Sequence, residues 1–177
     1  MDGTMLLLVT FMLLDEAALV EQLGSEDPQA RENATERLIE RGADAVPALL
    51  RALESRDSEV QDRARRVLLE TDLDAETLKK YPSVAEMRAR HHVAGVLRAI
   101  DRYRLGHARV QHESVDQLTR HGSAAIPALV EAALDEGQLV GIRVAVIEAI
   151  GAIRDPRAIK PLTALLHSKA EFYVTDG

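Results

Sequence analysis

The chain has 177 residues with 29 acidic and 22 basic side chains, a formal charge of −7, no Cys and no Trp. This excludes a disulfide framework, a thiolate zinc site and a cysteine nucleophile. With only two Phe and three Tyr, a core has to be built from Ala and Leu, and base-stacking or aromatic-cage sites lack the rings they need. A compact chain of this length buries roughly 70% of its unfolded surface, enough for a core without staples.

The first feature along the chain is the apolar run Met5–Leu14. It is half as long as the ~20 residues a membrane span requires. No Lys or Arg precedes Arg31, so the positive n-region of a secretion signal is missing. The expected reading is a capping helix over residues 1–27, its residues Leu7, Leu8, Phe11 and Leu14 packed on the first repeat.

The chain then repeats itself. Shifted by 30 residues, Leu19–Glu40 falls on Leu49–Glu70 without a gap, with Leu19/Leu49, Leu23/Leu53, Ser25/Ser55, Asp27/Asp57, Ala34/Ala64 and Leu38/Leu68 identical. Shifted by 80, Ala34–Glu54 falls on Ser114–Leu134, with Leu38/Leu118, Gly42/Gly122, Pro47/Pro127, Ala48/Ala128 and Leu49/Leu129 coinciding. The matches sit at apolar and turn positions, where stacked repeats must agree. Each unit reads as two helices. Asp27 and Pro28 open the first one, Ala30, Ala34 and Leu38 form its stripe, and Gly42 ends it. Val46, Leu49, Leu50 and Leu53 form the stripe of the second, with Pro47 in its first turn. Ala34, Ala64, Ser114 and Val146 occupy one place in successive first helices, where a small side chain permits close approach. In the fourth unit Ile142, Val146, Ala149 and Ile150 are followed by Gly151 as the expected helix end, and Asp155–Pro156 reads as a further helix start. No period-2 strand pattern is sustained.

The string Ile142–Leu162, IRVAVIEAIGAIRDPRAIKPL, resembles a HEAT-like repeat of the type found in phycobilin-lyase relatives. The resemblance rests on Ile142, Arg143, Val146, Ala149, Ile150, Gly151, Asp155, Pro156, Arg157 and Ala158, and it covers about residues 19–73 and 106–168. Earlier units depart from it: Gln61 and Gln111 stand where Arg31 and Arg143 do. It implies an all-α helical-repeat solenoid over 1–177: two units at 28–73, an irregular basic insertion at 74–105, two units at 106–168 and a tail at 169–177. The register breaks in the insertion, where a short helix near Ala75–Lys80, a stop at Pro82 and a long helix from about Ser83 to Leu105 are expected. Ala85, Ala89, Val93, Val96, Ile100 and Tyr103 mark the buried side of the long helix.

Charge changes sign in the same place. Residues 1–78 carry 8 basic and 18 acidic side chains, residues 79–109 carry 8 and 2, and residues 110–177 carry 6 and 9. Arg88, Arg98, Arg102 and Arg104 are therefore the candidate binding residues, as one exposed basic face for an acidic protein partner. The rival readings are neutralisation within the fold and a basic groove for nucleic acid, against which the acidic total and scarce aromatics count.

Catalytic patterns do not assemble. There is no Gly-x-Ser-x-Gly and no glycine-rich phosphate loop. Five of the six His lie between His91 and His121. The pair His112–Glu113 resembles the His-Glu motif of deoxyhypusine hydroxylase, which holds two irons between four such pairs. The corresponding places here are Glu32–Asn33, Asp62–Arg63 and Val144–Ala145, so three of four pairs are missing. The expectation is a non-catalytic, cytoplasmic scaffold or protein-interaction module with no metal and no cofactor. Its alternatives are a lyase-like or metal-dependent HEAT-repeat enzyme and a nucleic-acid-binding protein of this type.

Overall fold

The computed structural model describes residues 16–103 and 108–163, without the side chains of residues 102, 103 and 108–112. The expected packing of Leu7, Leu8, Phe11 and Leu14 lies outside the described residues. The described residues are helical throughout, without a strand, and the chain divides into two compact units at Lys80/Tyr81, inside the segment where the repeat register breaks.

The first unit contains α1 (Glu16–Gln22), α2 (Pro28–Arg41), α3 (Val46–Ala52), α4 (Ser58–Glu70) and α5 (Ala75–Lys80). α1 packs on α2 and α3, and both of these pack on α4. The turns that join the helices are built twice from the same parts. The Ser25 hydroxyl accepts from the Asp27 N–H at 3.2 Å, and the Asp27 carboxylate accepts from the Gln29 N–H at 2.9 Å, capping α2. Ser55, Asp57 and Glu59 repeat this at 3.1 and 2.9 Å and cap α4. A cap of this kind is worth about 1 kcal/mol. The Arg31 guanidinium donates to the Ser25 carbonyl at 2.7 Å, and the Gln61 amide donates to the Ser55 carbonyl at 2.5 Å. The exchange of Arg for Gln between repeats therefore keeps the bond, because the acceptor is a backbone oxygen that needs only a donor of sufficient reach. Glu32 of α2 meets Arg63 and Arg66 of α4 at 3.5 and 3.9 Å, which ties the two first helices on their solvent side.

The second unit contains α6 (Pro82–Tyr103), α7 (Ala108–Thr119), α8 (Ile126–Leu134) and α9 (Val140–Ile153). α6 packs on α7 and α8 and, more lightly, on α9, while α9 packs on α7 and α8. This is the order of the first unit, with α6 in the place of α1. One-turn 3-10 helices, Gly42–Ala45 and Gly122–Ala125, join α2 to α3 and α7 to α8. Gly42 and Gly122 have φ of +60° and +50°, values a side chain would strain. Pro47 and Pro127 occupy first turns as expected. Ala34, Ala64 and Val146 are fully buried and Ser114 nearly so, so the small-residue position is where the helices meet.

Three expectations change. Pro82 opens α6 instead of standing as a stop before it, since a missing N–H costs nothing at a helix's first position. Val84, and not Ala85, starts the buried stripe that continues through Ala89 and Val93 to Val96, Leu97 and Ile100; the side chain of Tyr103 lies outside the described residues. Gly151 does not end its helix. α9 runs on to Ile153, and Arg154 takes the left-handed position at φ 57°, at a cost of about 1–2 kcal/mol for a side-chain-bearing residue.

Asp155 and Pro156 start a 3-10 turn, Pro156–Ala158, that continues helically to Thr163. The Asp155 carboxylate accepts from the Arg157 N–H at 2.8 Å and from the Arg157 guanidinium at 2.9 Å. That guanidinium also donates to the Ser123 carbonyl and lies 3.7 Å from Glu86 of α6. The Arg157 side chain, the Ser123 side chain and the Arg157 N–H together hold the Asp155 pKa far below the ordinary carboxylate range. A depressed folded pKa stabilises the fold above the unfolded value of about 3.9 and loses that contribution as pH falls toward the folded value. Asp155→Asn should therefore melt below the parent at pH 7, and the gap should close in strong acid. A gap that stays constant down to pH 2 in thermal melts would contradict this.

Candidate functional site

In the second unit an open groove of about 310 Å3 lies between α6 and α8. Its floor is apolar and small-featured: Val93, Ala94 and Leu97 from α6, and Ala128 and Ala132 from α8. Alanine at 128 and 132 keeps α8 close to α6 while leaving the space between them unfilled. At the rim, Arg90 of α6 pairs with Glu131 of α8, and Asp135 and Gln138 close the end. The Asp135 carboxylate is held by the Gly137 N–H at 2.9 Å.

The four candidate arginines do not share one environment. Arg98 is exposed and does not itself line the groove; its guanidinium folds back along α6 to donate to the carbonyl of Ala94, a groove residue, at 3.1 Å. Arg88 is half-buried and faces another corner, where it helps to lower the pKa of His121. There the His92 ring lies edge-on to His121 at 5.0 Å, and His92 Nε2 is 3.0 Å from the Gln117 carbonyl. Burial is the main cause of the lowered His121 pKa, followed by His92, Arg88 and Arg120. Arg102 and Arg104 lie outside the described side chains. Sequence reasoning missed Arg90 and Glu131, whose pairing spans 41 residues and is carried by no local pattern. His91 is exposed. Glu113 is exposed, and its neighbour His112 lies outside the described side chains. Among the described residues no three His, Asp or Glu side chains converge as metal ligands, and no helix is long and apolar enough to cross a membrane.

The first unit has an equivalent groove of about 330 Å3 between α1 and α3. The 80-residue shift carries Ala48 and Ala52 onto Ala128 and Ala132, and all four line their grooves. The same shift carries Arg51 onto Glu131 and Ser55 onto Asp135. The alanine floor is kept and the rim charges are exchanged: Glu21 and Arg51 in the first unit, Arg90 and Glu131 in the second.

Residues 98–176 match the family model for HEAT repeats. That span takes in α7, α8, α9 and the turn after them, the helical pairs whose stripes and caps are described above. Residues 98–176 are thus HEAT-like repeats. The 80-residue shift carries the sequence of α2 and α3 in the first unit onto that of α7 and α8. No curated protein matches the chain in a sequence comparison. HEAT repeats commonly act as protein-interaction scaffolds, and the repeat match carries the architecture without an activity.

Proposed function

We propose that this HEAT-like repeat protein is a non-catalytic, cytoplasmic protein-interaction module that takes an extended or helical segment of an acidic partner in the groove between α6 and α8. The observation that carries the reading is the juxtaposition of an unfilled apolar floor at Ala94, Leu97, Ala128 and Ala132 with the exposed guanidinium of Arg98. Small apolar residues on a partner segment would seat on the floor, and its carboxylates would meet Arg98 and, in this reading, Arg102 and Arg104, which follow on the same basic stretch. Arg88 belongs to the histidine corner and contributes less. Apolar contact would set residence time, and the charges would set approach rate and register.

The test is selection of peptides from a display library against the full chain. Selected peptides should be rich in Asp and Glu, and their affinity should fall several-fold between low salt and physiological ionic strength, where the Debye length is about 8 Å. Arg98→Glu with Arg102→Glu should abolish binding at unchanged helicity. Ala94→Trp, which fills the groove from an exposed helix position, should do the same. Neutral or basic consensus peptides, or binding that survives both variants, would remove the groove from consideration.

A further inference from the structure

α9 carries apolar side chains on the face opposite its core. Ile142, Ala145, Val146, Ala149 and Ile150 are buried, while Val140, Val144 and Ile147 stand 76%, 40% and 42% exposed. Positions 140, 144, 147 and 151 are spaced as one stripe on an α-helix. The repeat register shows how unusual this stripe is. The small-residue alignment that puts Ala64 on Val146 puts Ser58, Asp62 and Arg65 of α4 on Val140, Val144 and Ile147. In α4 this outer face is polar, and Asp62 and Arg65 pair with each other at 2.7 Å. In α2 the same positions are Glu32 and Thr35, which α4 covers: Thr35 is buried and Glu32 is paired across to Arg63. The stripe of α9 is therefore a helix-stacking face, apolar where the polar α4 counterpart ends its own unit in charge.

The flanks of the stripe say what covers it. In heptad terms Val140, Val144, Ile147 and Gly151 occupy alternating d and a positions over the 14 residues of α9, which places Arg143 at g and Glu148 at e. In two parallel helices a g residue meets the e residue five places further on in the partner, so Arg143 of each copy meets Glu148 of the other. Gly151 lies inside the helix, exposed, with open space where a Cβ would stand, and a second backbone can approach closely there. A two-fold contact uses one patch twice, so this self-complementary pattern needs no second surface.

We infer that the chain self-associates as a parallel two-fold dimer through α9, with Val140, Val144 and Ile147 on the seam and two Arg143–Glu148 pairs across it. The inference is independent of the groove between α6 and α8.

The test is sedimentation equilibrium of the full chain over a concentration series up to about 1 mM, with cross-linking as an orientation readout. The parent should pass from monomer to dimer. Ile147→Glu, a change at an exposed position, should weaken the dimer at least a hundredfold with helicity unchanged. Glu148→Arg should raise the dissociation constant about tenfold through repulsion of Arg143, and Arg143→Glu combined with Glu148→Arg should restore it. The chain has no Cys, so Val144→Cys is a single thiol. In the parallel arrangement it oxidises to a self-cross-linked dimer, whereas an antiparallel one brings Val144 against Ile147 and leaves the thiol unpaired. A monomer throughout the series, a dimer indifferent to Ile147→Glu, or cross-linking only between Val144→Cys and Ile147→Cys chains would each overturn the inference.

Discussion

Leu118→Ala should cost the second unit about 2–5 kcal/mol, the range for a buried leucine whose site collapses only partly. Leu118 is fully buried, in one cluster with Ala125, Ile126, Leu129 and Val146, so truncation removes contacts to α8 and α9 together. Set against a native stability of about 5–15 kcal/mol, this is a large fraction, and the melting temperature should fall by roughly 10 °C or more. Leu38 occupies the same repeat position in the first unit and is equally buried; Leu38→Ala should cost a comparable amount. Leu134, 41% exposed on α8, provides the control: Leu134→Ala should change stability by less than about 1 kcal/mol. Chemical denaturation of the three variants checks the ranking. Equal losses at Leu118 and Leu134 would mean that α8 does not hold the orientation described.

Ala64→Asp should be more damaging still. Ala64 has no exposed surface and lies where α4 meets its neighbours. A carboxylate there loses several kcal/mol of hydration with no partner placed to replace it, and the added atoms overpack a helix contact that works because the side chain is small. The expected result is loss of the cooperative transition in the first unit, partly relieved at low pH, where the introduced acid is protonated and only the steric cost remains. Ala64→Ser should be mild by comparison, because Ser114 already fills the same place in α7 while nearly buried. Circular dichroism melts at pH 7 and pH 4 separate the two costs. A cooperative, parent-like melt of Ala64→Asp at pH 7 would refute the close approach.

What could be read before the structure was the part that stacking constrains. Ala34, Ala64, Ser114 and Val146 recur because one helix has to pass close to the next. Ser25/Asp27 and Ser55/Asp57 recur because each pair satisfies the same exposed N–H groups. Helix ends were less legible. Gly42 and Gly122 stand eight residues after Ala34 and Ser114, and the same count from Val146 reaches Arg154, which takes the positive φ there; Gly151 lies three residues earlier, on an exposed helix face where glycine is tolerated at about 1 kcal/mol. The groove was not legible, because its two walls lie some 35 residues apart and their facing depends on how far α6 is rotated about its axis. The basic stretch shows the limit of a linear count. Arg88 and Arg90 are two residues apart and so about 200° apart around the helix. One joins the histidine corner, the other the rim, and their sum of charge said nothing of that.

The two equivalent grooves have a consequence for how recognition in such a chain can change. Floor and rim are set by different residues under different constraints. Ala48, Ala52, Ala128 and Ala132 are fixed by the distance between helices, whereas Arg51 and Glu131 occupy one repeat position with opposite sign, and both are exposed. Shape is inherited with the repeat and polarity is not. A single exposed substitution can therefore change the charge balance of a rim while the core stays untouched. A duplicated repeat of this kind begins with two copies of one receptacle and can diverge to two addresses without passing through an unfolded intermediate.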